Sequence, residues 1–375
     1  MRALFFINTL SNGGAEKVCL NLSNEMIMQG FNVDFIILGK NEENSETYQF
    51  DSKINIYNLN INNKNKFIKI LKIVFSIPRI NKIIKRNEKK EKYDIITSHL
   101  PMSNIVTRLS SVNKRAIYIL HLPLKAYENS KNKYIYNMIV KFIYKNKKVV
   151  AVSNQVREEA INVYGLDAEN VKTIYNPIDI KEIDKLKKEC IDVNYKYILH
   201  VGRFNLQKRQ DKMLEIFIKG EFYKNYKLVF CGDGKLKDEL KQKVKRMKME
   251  DNVIFLNWQS NIYKWMYNSE ALVVTSDFES FSMVIVEALA CKTKVIAADC
   301  DFGPREIMKE EYAKFLVNKD DIEEYIVKIN NALDNYPAKK NNFIDNCLPS
   351  KVLEQYMDFA KKVKRIYKYD WRKKN

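Results

Sequence analysis

The chain has 375 residues, 46% of them hydrophobic, and a net charge of +19. That length suits two domains with a core each, and the composition is that of a globular protein, not a disordered one. Six cysteines scattered without a C-x-x-C or a cysteine–histidine cluster argue against a disulfide framework and a zinc site.

Met1–Ser11 carries too short an apolar run for a signal peptide. No other run approaches the ~20 apolar residues of a membrane span. The expectation is a cytoplasmic protein, or one resting on the inner face of the cytoplasmic membrane. The positive charge points to a polyanionic partner such as anionic lipid, nucleic acid or a phosphorylated substrate. The joint abundance of Lys, Asn and Ile offers a purely compositional source for the same charge.

In chain order, Ala3–Ile7 reads as a buried strand, followed by Asn12-Gly13-Gly14-Ala15-Glu16 and an amphipathic helix over Lys17–Gln29. A strand, a glycine pair and a helix start form a natural anion site, because glycines let the backbone approach and the helix N-terminus offers free N–H groups. Phe31–Leu38 and Ile54–Leu59 are further strands. Residues 62–92 hold eleven Lys/Arg against Glu88 and Glu91, a net of +9. Phe67, Ile70, Leu71 and Val74 fall at helical spacing, and Ile80, Ile83 and Ile84 continue the pattern. Residues 131–148 repeat it, with Ile135, Ile139, Val140 and Ile143 among six lysines. Two readings are open for these segments. One is a pair of basic amphipathic helices, 64–92 and 131–148, on an anionic membrane; the other is sheet-packed helices showing lysines to water.

Tyr93–Ser98 and Arg115–Leu120 are strands that lead to His99 and His121, each read as a loop residue unless a site claims it. Val149–Ser153, a helix from Asn154, Val171–Ile174 and Asn176-Pro177-Ile178-Asp179 follow, with Pro177 marking a hinge. A second alternating set then opens with Tyr197–Val201 and Gly202-Arg203-Phe204-Asn205-Leu206-Gln207-Lys208. Two cations five apart after a strand suit a diphosphate, Arg203 by bidentate contacts and Lys208 as a point charge.

Tyr226–Cys231, Val253–Leu256, Ala271–Val274 and Val295–Ala298 are strands, and a helix starts near Ser282. The loop at the carboxyl end of Ala271–Val274 carries Glu279, read as exposed. The helix carries Glu287, the single charge in Met283–Ala290 and therefore a buried group wanting a partner. Lys314–Val317, a helix over Asp320–Asn335 and a last helix from Ser350 close the chain. On that helix Phe359, Val363, Ile366 and Tyr367 give one apolar face.

Glu279 and Glu287 resemble the E-x7-E signature of retaining glycosyltransferases of family 4. The resemblance implies the GT-B fold, an α/β arrangement of two Rossmann-like doubly wound domains facing a cleft, with the last helix crossing back to the first domain. It divides the chain into an acceptor domain (1–178), a nucleotide-sugar domain (179–350) and the returning helix (351–375).

In that family the first glutamate lies by the donor sugar and the second on the nucleotide ribose. The loop Ser280-Phe281-Ser282-Met283-Val284 faces the donor, with serines at both glycines of the usual E-G-F-G. Gly13, Gly14 and Glu16 match a G-G-x-E that contacts the diphosphate and borders the acceptor. Arg203 and Lys208 match a G-R-x-x-x-x-K that grips the leaving diphosphate, and His121 looks like the family's cleft histidine. Trp258 stands near where a residue meets the base. Asp301–Ile307 resembles a subset that builds bacterial surface glycans, often with UDP-sugars.

The implied catalytic set is thus Glu279, Arg203, Lys208 and His121, with no metal and no cofactor. The partners are a nucleotide-sugar donor, a glycan or polyprenyl-linked acceptor and an anionic membrane, without nucleic acid. Asp299-Cys300-Asp301 superficially matches the metal-holding D-x-D of the other large glycosyltransferase fold, but comes after two complete α/β sets and reads as loop chemistry. A sugar-nucleotide epimerase of similar fold would act on the donor alone. A nucleic-acid-binding protein would bind RNA tightly and consume no sugar nucleotide.

Overall fold

The computed structural model describes all residues except 12, 40–49, 62–65, 128–131, 339–340 and 373–375; of the side chains at 66–70, 127 and 362–372 nothing is described. Lys64 and Lys131, at the edges of the two basic segments, therefore lie outside the described residues. So do the side chains of Phe67, Ile70, Val363, Ile366 and Tyr367.

The chain forms two compact units, Met1–Pro177 with Pro349–Asn375, and Ile178–Leu348. In the first, strands and helices alternate: β1 (Arg2–Ile7), α1 (Gly14–Met28), β2 (Asn32–Ile37), β3 (Asn55–Asn58), α2 (Lys66–Glu88), β4 (Ile95–His99), α3 (Pro101–Leu109), β5 (Ile117–Leu120), α4 (Lys133–Tyr144), β6 (Lys148–Ala151), α5 (Asn154–Asn162) and β7 (Val171–Thr173). The strands make one sheet in the order β3-β2-β1-β4-β5-β6-β7, all pairs parallel. Strands buried on both faces need near-continuous apolar sequence, and Ala3–Ile7 and Val149–Ala151 are wholly buried.

The second unit holds α6 (Ile180–Leu186), β8 (Tyr197–Val201), α7 (Gln210–Lys219), β9 (Lys227–Cys231), α8 (Lys237–Arg246), β10 (Val253–Leu256), α9 (Tyr263–Asn268), β11 (Ala271–Val274), α10 (Met283–Ala290), β12 (Val295–Ala298), α11 (Pro304–Ile307), β13 (Leu316–Val317) and α12 (Ile322–Asp334). Its sheet is also parallel, in the order β10-β9-β8-β11-β12-β13. These are the two doubly wound domains that the sequence leads one to expect. The last strand is shorter than expected, because residues before Leu316 wind into a 3-10 turn that buries Tyr312 and Phe315.

The last helix, α13 (Pro349–Arg372), belongs to the first unit, where it packs on α1 and β4. Val352, Leu353, Tyr356, Phe359 and Ala360 are its buried positions, and the Lys148 ammonium sits 5.5 Å from the Phe359 ring.

The amino and carboxyl ends of the first sheet differ in chemistry. At the amino end Arg2 pairs with Asp34 at 2.7 Å. Asp34 also accepts from Tyr93 Oη at 2.5 Å and from Asn87 Nδ2 at 3.3 Å. This buried ionic cluster uses up its own charges and locks β1, β2 and the end of α2 together. The candidate functional residues lie at the other end.

Candidate active site

In each sheet the strand order reverses once, between β1 and β4 and between β8 and β11. Loops leaving the carboxyl ends of two such strands run apart and leave a crevice, the usual ligand site of open α/β sheets. In the second unit the loop after β8 carries Arg203 and Lys208, and the loop after β11 carries Glu279. Residues 71 apart in sequence thus become neighbours: Lys208 Nζ donates to Glu279 Oε1 at 2.5 Å. Ser276 Oγ donates to the same oxygen at 2.7 Å, and the Glu279 N–H donates to the Asp301 carbonyl at 3.1 Å.

Glu279 is therefore buried, not exposed as the loop sequence suggests. A carboxylate this desolvated persists because a cation and a hydroxyl compensate it. An ammonium has three donors, and Glu279 takes one of those on Lys208. The Lys208 stem runs against Gly202, where an added Cβ would come within 3.3 Å of it. Arg203 is exposed, and its guanidinium has no partner among the described residues; its carbonyl accepts from Gln210 Nε2 at 3.1 Å. Arg209, by contrast, is committed to Asp211 and Asp277, at 3.1 Å each.

At the start of α10, Ser282 takes a left-handed conformation (φ 66°, ψ 72°). An L residue is strained there. Its hydroxyl is buried with no hydrogen-bond partner among the described residues. Met283 and Val284 follow half-buried in the first turn, Phe281 is buried and Ser280 is half-buried. The first N–H groups of a helix have no intrahelical acceptor, so this turn faces the loops with donors to spare. Glu287 is buried in the same helix and accepts from Tyr263 Oη at 3.4 Å.

In the first unit Gly13 caps α1, and Gly14 and Glu16 form its first turn. Glu16 is buried and folds back over Gly13, accepting from Thr9 Oγ1 at 3.2 Å and Ser11 Oγ at 3.1 Å. A Cβ on Gly13 would fall 2.3 Å from Glu16 Oε2, which makes this glycine a requirement of the glutamate's position.

His99 is the last residue of β4 and wholly buried, not a loop residue. Because β4 and β5 are neighbours, His121 just past β5 lies beside it, with Nδ1 of His99 2.8 Å from Nε2 of His121. His99 Nε2 is 3.0 Å from Thr97 Oγ1. Burial pulls the His121 imidazole down to about 4. It lowers His99 well below the ordinary range too, helped by His121. Both rings are therefore neutral at neutral pH, and one donates to the other.

The model of Glycosyltransferase Family 4 matches residues 12–182, and that of Glycosyl transferases group 1 matches residues 181–347. The chain is a glycosyltransferase whose two halves match these two models. It is 26% identical over 84% of its length, and 85% of the relative's, to the N-acetylgalactosamine-N,N'-diacetylbacillosaminyl-diphospho-undecaprenol 4-alpha-N-acetylgalactosaminyltransferase of Campylobacter jejuni. To the lipopolysaccharide 1,6-galactosyltransferase of Escherichia coli it is 26% identical, over 58% of this chain and 60% of that one. Among solved structures, an Anabaena protein in complex with UDP and glucose superposes with a TM-score of 0.67 at 19% identity, covering 99% of both chains.

In this glycosyltransferase the D-x-D lies between β12 and α11, where Asp299 pairs with Arg305 and Asp301 holds Glu279 through its carbonyl. Among the described residues no group of three His, Cys, Asp or Glu could hold a metal. Sequence reasoning passed over Ser276, Tyr263 and Thr97. Ser276 stands three residues before Glu279 and could have been read as its turn partner. Tyr263 and Glu287 meet only because α9 and α10 pack together.

The two basic segments do form helices, but their apolar residues are divided. Ile80 and Ile84 of α2 and Val140 and Ile143 of α4 are buried, whereas Leu71, Val74, Ile135 and Ile139 are exposed. Lys147 and Lys148 also leave the helix face, since they lead into β6; Lys147 is buried, and burial lowers its ammonium to about 8, with help from Arg108 and Lys114.

Proposed function

We propose that this glycosyltransferase moves a hexose or N-acetylhexosamine from a UDP-sugar to a glycan or polyprenyl-linked glycan, with retention at the anomeric carbon. The observation that carries the donor half is the Lys208–Glu279 pair at the switch point of the second sheet, with Arg203 uncommitted beside it in sequence.

As the glycosidic bond breaks, negative charge builds on the diphosphate. Arg203 and the remaining N–H groups of Lys208 stabilise it, the largest electrostatic task of such a reaction. Glu279 holds Lys208 in place and faces the donor sugar with its loop, while Glu287 takes the ribose hydroxyls and the first-turn amides of α10 meet the sugar or phosphate. On the first unit Gly13, Gly14, Glu16 and His121 line the place of the acceptor. In this reading the leaving phosphate accepts the acceptor's proton on the face it departs from, and the chain supplies positioning and charge without a metal or a nucleic-acid partner.

The Anabaena protein crystallised with UDP and glucose supports the choice of UDP. The diphospho-undecaprenol in the name of the Campylobacter relative supports a lipid-linked acceptor. No helix among the described residues is long and apolar enough to cross a membrane. Access to such an acceptor would therefore come from the basic helices resting on an anionic cytoplasmic face.

A donor screen tests the reading. Each UDP- and GDP-sugar is incubated with the enzyme and membrane-extracted lipid, and products are read by mass spectrometry. One UDP-hexose or UDP-N-acetylhexosamine should yield a lipid-linked product one sugar heavier. Transfer from GDP-mannose alone would overturn the donor assignment, and epimerised donor without transfer would overturn the reaction.

A further inference from the structure

The first unit leaves an apolar surface bare on α2 and on α4, helices that both pack against α3. On α2 it consists of Leu71, Val74 and Phe75, the last 77% exposed. On α4 it consists of Tyr134, Met138 and Phe142 at four-residue spacing, 78%, 57% and 50% exposed. Ile80, Ile84, Val140 and Ile143 fill the opposite faces of the same helices, so the exposed stripe is not spare core. Arg108 of α3 bridges towards it: its Nε donates to the Phe142 carbonyl at 2.7 Å and its guanidinium lies 5.2 Å from the Phe142 ring. Exposed patches of this kind mark an interaction site.

The charge around the stripe selects the occupant. Lys72, Arg79 and Lys141 are exposed on the same helices and Lys145 just past the end of α4, and the sequence has no acid from residue 66 to 87 or from 133 to 148. Facing copies of this chain would bring like charges together, and interfaces between proteins are depleted of lysine. Aromatic and aliphatic side chains framed by cations suit the headgroup–acyl boundary of an anionic bilayer.

We infer that the α2–α4 stripe is an insertion surface. Tyr134, Met138, Phe142 and Phe75 enter the lipid interface, and the surrounding lysines bind the headgroups. The inference rests on the proposed membrane-side reading and changes its physics. Charge alone makes attachment fully salt-reversible, whereas insertion leaves a fraction that salt does not release.

The test uses the full chain and sedimented vesicles, either phosphatidylglycerol mixed about equally with phosphatidylcholine or phosphatidylcholine alone, at about 0.1 M and about 1 M salt. The wild type should bind the anionic vesicles at both salts, more weakly at the higher. A Tyr134→Ser, Met138→Ser, Phe142→Ser variant should lose at least about tenfold in binding at both salts and keep wild-type donor turnover in solution. Tyr134→Trp should give blue-shifted emission on these vesicles and be quenched by brominated acyl chains.

Complete release of the wild type at high salt, with the triple variant binding as well as wild type at low salt, would overturn insertion. So would self-association that the triple variant abolishes without vesicle binding, which would make the stripe an interface between copies. Loss of donor turnover in the wild type would instead count against the transferase reading, because vesicle binding is measured without any donor.

Discussion

Lys208 and Glu279 neutralise each other in a largely buried place, so removing one partner strands the other. Lys208→Ala should therefore act twice. Loss of a preorganised cation should cut donor turnover by about 10²–10³, and the orphaned Glu279 carboxylate should cost about 3 kcal/mol of stability. Adding Glu279→Gln should restore much of the stability and none of the turnover. Denaturant midpoints and turnover measured side by side check this; a Lys208→Ala enzyme with full turnover at saturating donor would remove Lys208 from the mechanism.

Ser282 makes the opposite prediction. Glycine at this left-handed position relieves strain and removes a buried hydroxyl without a partner. Ser282→Gly should raise stability by about 1 kcal/mol, after the entropy glycine adds to the unfolded chain. An unchanged or lower midpoint would mean that the hydroxyl does useful bonding in the folded chain.

The histidines give a pH dependence with a definite sign. His99 and His200 are buried and His121 is half-buried, and all three folded values are lowered, to about 4 for His121 and about 3 for His200. Unfolded histidine takes a proton near about pH 6.5, while the native rings stay neutral. Below that pH the unfolded state binds more protons, so stability falls as pH falls from about 7 towards 5. Carboxylates titrate lower, so a denaturation midpoint that stays flat over this interval would contradict the burial of the pair.

At the scale of elements, buried parallel strands were the most legible feature. Tyr197–Val201, Ala271–Val274 and Val295–Ala298 are found at the expected residues, because a strand covered on both faces must be largely apolar. Helix faces were less legible. Periodicity marks a helix with an apolar stripe, but α2 and α4 carry apolar residues on two faces, and only the neighbours decide which is core. The last helix illustrates the other limit: its apolar positions are readable, their partner is not. Tyr356 is buried where α13 packs on α1. Tyr356→Ala should cost about 3–5 kcal/mol and lower the melting temperature. A loss under about 1 kcal/mol would show that the helix adds little to the first unit.

At the scale of the molecule, the net charge of +19 includes a concentrated share on the basic helices, and also cationic groups at the candidate diphosphate site. If Arg203 and Lys208 carry the leaving-group charge, transfer should persist in excess EDTA. Activity lost in EDTA and restored by manganese or magnesium would move the reading to a metal-dependent mechanism. The sequence alone determined the alternation of strands and helices, the glycine–helix starts and the spacing of the cations and carboxylates, because these depend on local periodicity and turn chemistry. The tertiary structure decided which of them meet. Strand order is not chain order, so β8 and β11 bring Lys208 to Glu279 and β4 and β5 bring His99 to His121. Burial is a property of that assembly, and it turned an apparently exposed loop glutamate into a buried ion pair and left bare one of two apolar stripes on α4.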